Sequence, residues 1–230
     1  MYKYILFDLD DTLLDFKKAE ATAISEVLLA FGVTPSRQTV ELYSNINISC
    51  WKRYEKGEIT REEIYRDRVN ILGERLGVSF DVEKFTNDYC ALLSKQGQTF
   101  PYAVTLLKQL KAKGYKMAAA TNGSLIAQKG RIAASGLAEF FDCGIYISEE
   151  IGFKKPEPEF FEYILNAVGI KNKKEVLVIG DSPSSDIAGA IATGLDSCLV
   201  GESSSDAVKP TYFANSLEDI PLACGLINVE

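Results

Sequence analysis

Residues 4–12 read Tyr4-Ile5-Leu6-Phe7-Asp8-Leu9-Asp10-Asp11-Thr12. The first four are bulky and uninterrupted by polar residues, the pattern of a short strand buried on both faces of a parallel sheet. Acids begin where the apolar run stops. Asp8 and Asp10 are spaced i, i+2, which turns both carboxyls to one side of the sheet. Two such anions repel unless a cation, a proton or a bound ligand compensates. Alone, Asp8-Leu9-Asp10-Asp11-Thr12 also fits a strand-to-loop transition with solvated or helix-capping acids, so the rest of the chain has to decide.

Further short apolar runs read as buried strands: Lys116 to Thr121, Gly144 to Ser148, Val176 to Gly180 and Ser197 to Val200. Helical patterns lie between them. Leu106, Leu107 and Leu110 share a face in Ala103 to Lys113. A second pattern runs from Leu125 to Ser135. A third, Glu157 to Val168, carries Phe160, Phe161, Ile164, Leu165 and Val168. Strands alternating with helices of this length predict an α/β fold, a doubly wound parallel sheet. Gly114, Gly136 and Gly169 stand where left-handed helix C-caps belong.

From about Asp15 to Gln96 the rhythm changes. Helical patterns cover roughly Lys18–Phe31, Thr39–Tyr54, Arg61–Leu76 and Val82–Ser94, and no strand pattern intervenes. Pro35, Gly57 and Gly77 mark the turns, and Thr60-Arg61-Glu62-Glu63 is a capping-box pattern. The expectation is a helical-bundle cap (15–96) inserted into a Rossmann-like core (1–14 and 97–230), covering the carboxyl edge of the sheet. Gly201 to Ser205 reads as a polar loop.

Composition excludes several chemistries. The 230 residues carry 25 Lys plus Arg against 32 Asp plus Glu, a formal net charge of -7. An acidic chain without a long basic run is a poor partner for a nucleic acid polymer and offers nothing to an anionic membrane. No stretch is apolar enough to span a bilayer, and residues 4–7 are too short for a signal peptide. Cys50, Cys90, Cys143, Cys198 and Cys224 have no CxxC spacing and read as buried thiols of a reducing, cytoplasmic compartment. There is no histidine. Ser-His-Asp and Cys-His mechanisms and His-held metals are therefore closed to this chain. Carboxylates, Lys, Ser/Thr and a hard metal remain.

Ligands of open α/β sheets bind beyond the carboxyl ends of the strands, so those ends are the candidate site. The first carries Asp8 and Asp10. The second ends in Thr121-Asn122-Gly123-Ser124, a hydroxyl, an amide and free backbone N–H groups at a helix start, which suit a phosphoryl oxygen; an Asn-Gly turn with a Ser cap is the plainer alternative. After the third comes Lys154-Lys155-Pro156-Glu157-Pro158. There Lys155, at a helix opened by Pro156 or Pro158, is either a point charge for phosphate and nucleophile or one more surface lysine. The fourth ends in Gly180-Asp181-Ser182-Pro183-Ser184-Ser185-Asp186. These are two acids at a strand end suited to magnesium, which takes oxygen ligands, although Asp186 also fits a helix N-cap.

In this order and at these spacings, over essentially the whole chain, the four motifs resemble the haloacid dehalogenase superfamily: DxDx(T/V), then a Ser/Thr, then a Lys, then paired Asp. The insertion after the first motif is similar to the helical cap of one of its subfamilies. Thr121-Asn122-Gly123, Ser135-Gly136-Leu137, Phe140-Phe141-Asp142, Ser148 to Gly152, Lys155-Pro156 and the string Gly57 to Glu63 look like the bacterial pyrimidine 5′-nucleotidase branch.

The resemblance implies a magnesium-dependent phosphate-monoester hydrolase that works through an aspartyl-phosphate on small-molecule esters, with pyrimidine nucleoside 5′-monophosphates preferred. Asp8 would be the nucleophile, and Asp10 the acid and then the base. Thr121, Asn122 and Lys155 would bind the phosphate. Mg2+ would be held by Asp8, the Asp10 carbonyl and Asp181, with Asp186 orienting the site. Dehalogenases of the same fold lack the acid two residues after the nucleophile and need no magnesium. A non-catalytic phosphate-binding module would not retain the full set. Sugar-phosphate phosphatases and phosphomutases share all four motifs, so the cap decides among these. Trp51, Arg53, Tyr54 and Tyr65 are its candidates for contacting a base, or are packing residues.

Overall fold

The computed structural model describes residues 1–201 and 208–226. Of the polar loop expected at Gly201 to Ser205, the part after Gly201 lies outside the described residues. Six parallel strands, β1 (Tyr4–Phe7), β2 (Lys116–Thr121), β3 (Ile145–Ile147), β4 (Val176–Gly180), β5 (Asp196–Val200) and β6 (Tyr212–Ala214), form one sheet in the order β3-β2-β1-β4-β5-β6. All five pairings are parallel. Strand β6 was not expected. Its Tyr212-Phe213-Ala214 is too short to show a period, and only its pairing with β5 makes it a strand.

Alternation along β1 divides the core in two. Ile5 and Phe7 face a cluster with Met117, Ala119, Leu177 and Ile179 under Leu106, Leu107 and Leu110. Leu6 faces the other side, where Ala118, Ala120 and Val178 meet Phe160, Phe161, Ile164 and Leu165. A sheet apolar on both faces needs helices on both.

The insertion after β1 is α1 (Phe16–Ala30), α2 (Arg37–Glu55), α3 (Arg61–Leu76) and α4 (Val82–Leu93). These four helices enclose a core of their own, with Ile24, Leu28, Tyr43, Leu72, Phe85 and Tyr89 at its centre. Each start is set by a side chain accepting a backbone N–H: Asp15, Ser36, Thr60 and Asp81. At Thr60 the expected capping box is complete. The segments entering and leaving the bundle run side by side: Asp15 N donates to Gln98 O at 3.0 Å and Phe100 N to Leu13 O at 2.9 Å.

The chain then continues through α5 (Ala103–Ala112), α6 (Leu125–Ser135), α7 (Ser148–Ile151), α8 (Pro158–Val168), α9 (Ala188–Thr193) and α10 (Ile220–Ala223). Pro158, not Pro156, opens α8. Gly136 and Gly169 are left-handed C-caps, as expected. A Cβ on Gly130 of α6 would lie 2.4 Å from that of Ser94, so glycine lets the end of the bundle close on this helix. All five cysteines are free, four buried and Cys143 half-buried at the edge of its core. Among the described residues no helix is long and apolar enough to cross a membrane.

Candidate active site

The strand register decides what meets at the carboxyl edge. Phe7 pairs with Ala119 on one side and Ile179 on the other, so Asp8, Ala120 and Gly180 stand level at the next step. The chain order reverses between β2 and β4 across β1, which makes this the switch point where ligands of such sheets bind. A cavity of about 260 Å³ opens there. Asp8, Asp10, Thr121, Asn122, Lys155, Asp181 and Asp186, the candidates from the strand ends, all line it.

Carboxylate oxygens of Asp8, Asp181 and Asp186 lie within 4.8 Å of one another. Lys155 Nζ sits among them, 2.6 Å from Asp8 Oδ1, 2.6 Å from Asp186 Oδ1 and 2.8 Å from the Ala120 carbonyl. Burial opposes the lysine charge, yet Asp186 and Asp8 more than restore it and hold its pKa above the usual range. It is not a surface lysine; it is 2% exposed. Burial followed by the Asp8 and Asp186 charges pushes Asp181 up to about 8. Burial also raises Asp186 to about 7, with Lys155 pulling the other way. Three crowded carboxylates facing a single ammonium, all donors oxygen, are a donor set suited to a hard divalent cation.

Asp186 is not a helix N-cap. Ser182 takes that place, its side chain accepting from Ser185 N, while Asp186 lies in the following wide turn (Pro183–Ile187) and accepts from Ser182 N at 3.1 Å. A Cβ on Gly180 would stand 2.3 Å from the Asp186 carboxyl, so glycine at the strand end makes room for it.

Asn122 uses its side chain on the protein. Its Nδ2 donates to Lys155 O, and its Oδ1 accepts from Lys155 N, both at 2.8 Å. Thr121 is buried and accepts from Gly123 N at 3.2 Å. Ser124 caps α6, as the plainer reading had it.

Asp10 lines the same cavity but is not one of the three clustered carboxylates. Gln128 Nε2 donates to its Oδ2, and Arg131 Nη2 lies 3.2 Å from its Oδ1. Burial holds the Asp10 carboxyl above the ordinary range, with Arg131 working against the shift and Asp8 for it. Sequence reading missed Gln128 and Arg131. Their signal was present: two polar residues at i, i+3 in the small-residue helix Leu125–Ser135, on a face that must turn inward.

The helical bundle supplies the opposite wall through Phe16, Asn47, Trp51, Lys52, Glu55, Tyr65 and Arg68. Trp51 and Tyr65 face the cavity. Tyr54 instead packs edge-on against Trp51 and under Arg61, and Arg53 pairs with Asp67 away from the site. Arg61 crosses to the sheet edge, donating to Asn122 O at 3.1 Å and Ser148 Oγ at 2.6 Å. Ser184 Oγ donates to Glu55 Oε2 at 2.8 Å.

The acid pair ending β1, the hydroxyl ending β2, the buried lysine and the acids after β4 define a hydrolase built on a doubly wound sheet. The family model for haloacid dehalogenase-like hydrolases matches residues 2–194, and the chain belongs to that family. It is 35% identical to the pyrimidine 5′-nucleotidase PynA of Streptococcus pneumoniae, covering 95% of this chain and 93% of that protein. It is 30% identical to the pyrimidine 5′-nucleotidase YjjG of Escherichia coli, covering 95% and 96%. Among solved structures, the HAD-hydrolase YfnB of Bacillus subtilis, bound to magnesium and reported to reveal interdomain movement, superposes with a TM-score of 0.91. The identity there is 31%, over 99% of each chain.

Proposed function

We propose that this protein is a magnesium-dependent phosphate-monoester hydrolase that works through an aspartyl-phosphate and prefers pyrimidine nucleoside 5′-monophosphates. The observation that carries the hydrolase chemistry is the Asp8–Asp181–Asp186 cluster closed by buried Lys155, with Asp10 held separately beside it. The likeness to PynA and YjjG, whose names state that substrate class, supports the nucleotide preference.

In this reading Asp8, the Asp10 carbonyl and Asp181 would hold the magnesium ion, and Asp186 would orient those ligands. Bound there, the ion would neutralise charge on the attacking carboxylate and the phosphoryl oxygens. An Asp8 oxygen attacks phosphorus as the ester P–O bond breaks, and Asp10 gives its proton to the departing alkoxide. Water then attacks phosphorus, its proton passes to Asp10, and the bond between phosphorus and Asp8 breaks to release phosphate. Thr121, the Asn122 backbone and Lys155 bind the equatorial oxygens, where the transition state carries its charge. The raised pKa of Asp10 suits the acid role, since the carboxyl must arrive protonated.

Residues 15–96 act as a cap in this scheme, moving on the paired segments near Asp15 and Gly97–Pro101 to enclose substrate and exclude water. Trp51 and Tyr65, which line the cavity, would stack on a base in this reading. The test is kcat/KM for UMP, dUMP, dTMP, AMP, GMP and hexose phosphates, with magnesium and with EDTA. Pyrimidine nucleotides should lead, and EDTA should silence all substrates. A hexose phosphate ahead of every nucleotide by about ten-fold or more, the scale at which even one apolar contact discriminates, would reject the nucleotide preference. Conversion of glucose 1-phosphate to glucose 6-phosphate without free phosphate would mark a mutase.

A further inference from the structure

We propose that Gln128 is a positioning residue for the Asp10 carboxyl, and that Gly123 is glycine in order to admit it. The inference rests on the acid–base role of Asp10 given above and names the groups that make that role possible. Gln128 Nε2 donates to Asp10 Oδ2 across 118 residues of sequence. Arg131, one helical turn further along α6, is fully buried and lies 3.2 Å from the other oxygen. One oxygen of Asp10 is thus held by a hydrogen bond and the other lies beside a buried guanidinium, both from the same helix.

Gly123 explains how the glutamine gets there. Its φ is outside the left-handed range that requires glycine elsewhere in the chain, so backbone conformation does not account for it. Space does. A Cβ built on Gly123 would stand 2.1 Å from Gln128 Nε2 and 2.7 Å from its Cγ. The Thr121-Asn122-Gly123 strand end therefore serves two neighbours at once, phosphate-facing groups on one side and the Asp10 amide clamp on the other.

The other end of the amide is buried and has no partner among the described residues. Nε2 donates to Asp10 Oδ2, and Asp10 Oδ1, which takes part in no hydrogen bond among the described residues, is left to face the alkoxide.

The experiment is single-turnover phosphorylation of the magnesium-loaded enzyme with UMP, whose alkoxide needs a proton, and p-nitrophenyl phosphate, whose phenolate does not. Gln128→Met, of similar length, should slow the UMP reaction by about 100-fold, the scale of a misplaced catalytic group. It should leave KM for UMP and the p-nitrophenyl phosphate rate within about three-fold, because binding and attack by Asp8 are untouched. Gly123→Ala should reproduce the UMP-selective loss with Gln128 intact. Added to Gln128→Ala, which removes the clash, it should cost nothing further, a non-additivity that unrelated structural damage would not produce. Equal losses on both substrates in Gln128→Met, or additive losses in the double variant, overturn the proposal. Asp10→Ala in the same assay separates the two readings. If it shows no leaving-group dependence, the acid role itself fails and the positioning role with it. If it does and Gln128→Met does not, only the positioning role fails.

Discussion

Asn122 and Lys155, 33 residues apart, exchange two hydrogen bonds between the asparagine amide and the lysine backbone, each 2.8 Å long. The amide imitates a strand partner and pins the loop from which Lys155 reaches into the carboxylate cluster. Asn122→Ala leaves that backbone pair without partners. It should lower stability by about 1–3 kcal/mol, the cost of buried groups left unsatisfied, and should reduce kcat more than Asn122→Asp, which keeps the acceptor for Lys155 N. Urea unfolding and steady-state kinetics on both variants check this; equal effects would show that the amide geometry is unimportant.

Asp8→Asn should abolish phosphorylation while the fold persists. Loss of turnover by several orders of magnitude is expected of an essential nucleophile acting within a unit. Trapping with radiolabelled substrate should give labelled wild-type protein and unlabelled variant. Near-normal turnover by a folded Asp8→Asn protein would remove the nucleophile from Asp8.

Lys155→Met should be damaging in two separable ways. Without its ammonium the Asp8 and Asp186 carboxylates, both buried, lose the partner at 2.6 Å. Removing one partner from a buried ion group costs about 3–5 kcal/mol, read as a lower urea midpoint in EDTA. Saturating magnesium, binding the same oxygens, should recover part of the stability by linkage but not the activity. A variant as stable as the wild type in EDTA would contradict the pairing.

Gly180→Ala brings a methyl group to 2.3 Å from the Asp186 carboxyl. Overpacking at this point should cost about 1–3 kcal/mol and, by displacing the acid that orients the metal ligands, should raise the magnesium concentration for half-maximal activity by about ten-fold or more. Titration of activity with magnesium measures it, and an unchanged half-point would separate Asp186 from the metal.

Glu20, buried in the helical bundle and accepting from Asn47 Nδ2 at 2.8 Å, has its pKa raised by burial against that hydrogen bond. Its folded value lies above its unfolded one, so the cost of its charge is complete above the folded pKa and vanishes as pH falls to the unfolded value. Glu20→Gln should therefore be more stable than wild type at pH 8, with the gap closing toward pH 5. Urea unfolding of both proteins across that range is the check; a gap that widens on acidification would reverse the sign of the shift.

Local chemistry made the active-site edge readable in advance. Strand ends at Asp8, Thr121 and Gly180 follow from apolar runs stopping at polar residues, and a parallel sheet collects strand ends at one edge whatever the details of packing. Capping at Thr60 and the left-handed glycines Gly136 and Gly169 were equally local, because they depend on a few neighbouring dihedrals. The haloacid dehalogenase-like core is therefore legible from motif order alone.

What the linear chain could not carry was every relationship set by packing across distance. Lys155 looks like the second of two surface lysines until the fold buries it between Asp8 and Asp186. Asp186 looks like a helix cap until the wide turn after Ser182 swings it under Gly180. Tyr54 and Arg53 read like Trp51 and Tyr65 in sequence, yet only the latter pair faces the cavity, because helix rotation and not residue type selects the face. Strand β6 exists through its partner. Gln128 and Arg131 acquire meaning only when α6 lies against the end of β1, since hydrogen bonds and ion pairs depend on ångströms between side chains and not on separation along the chain.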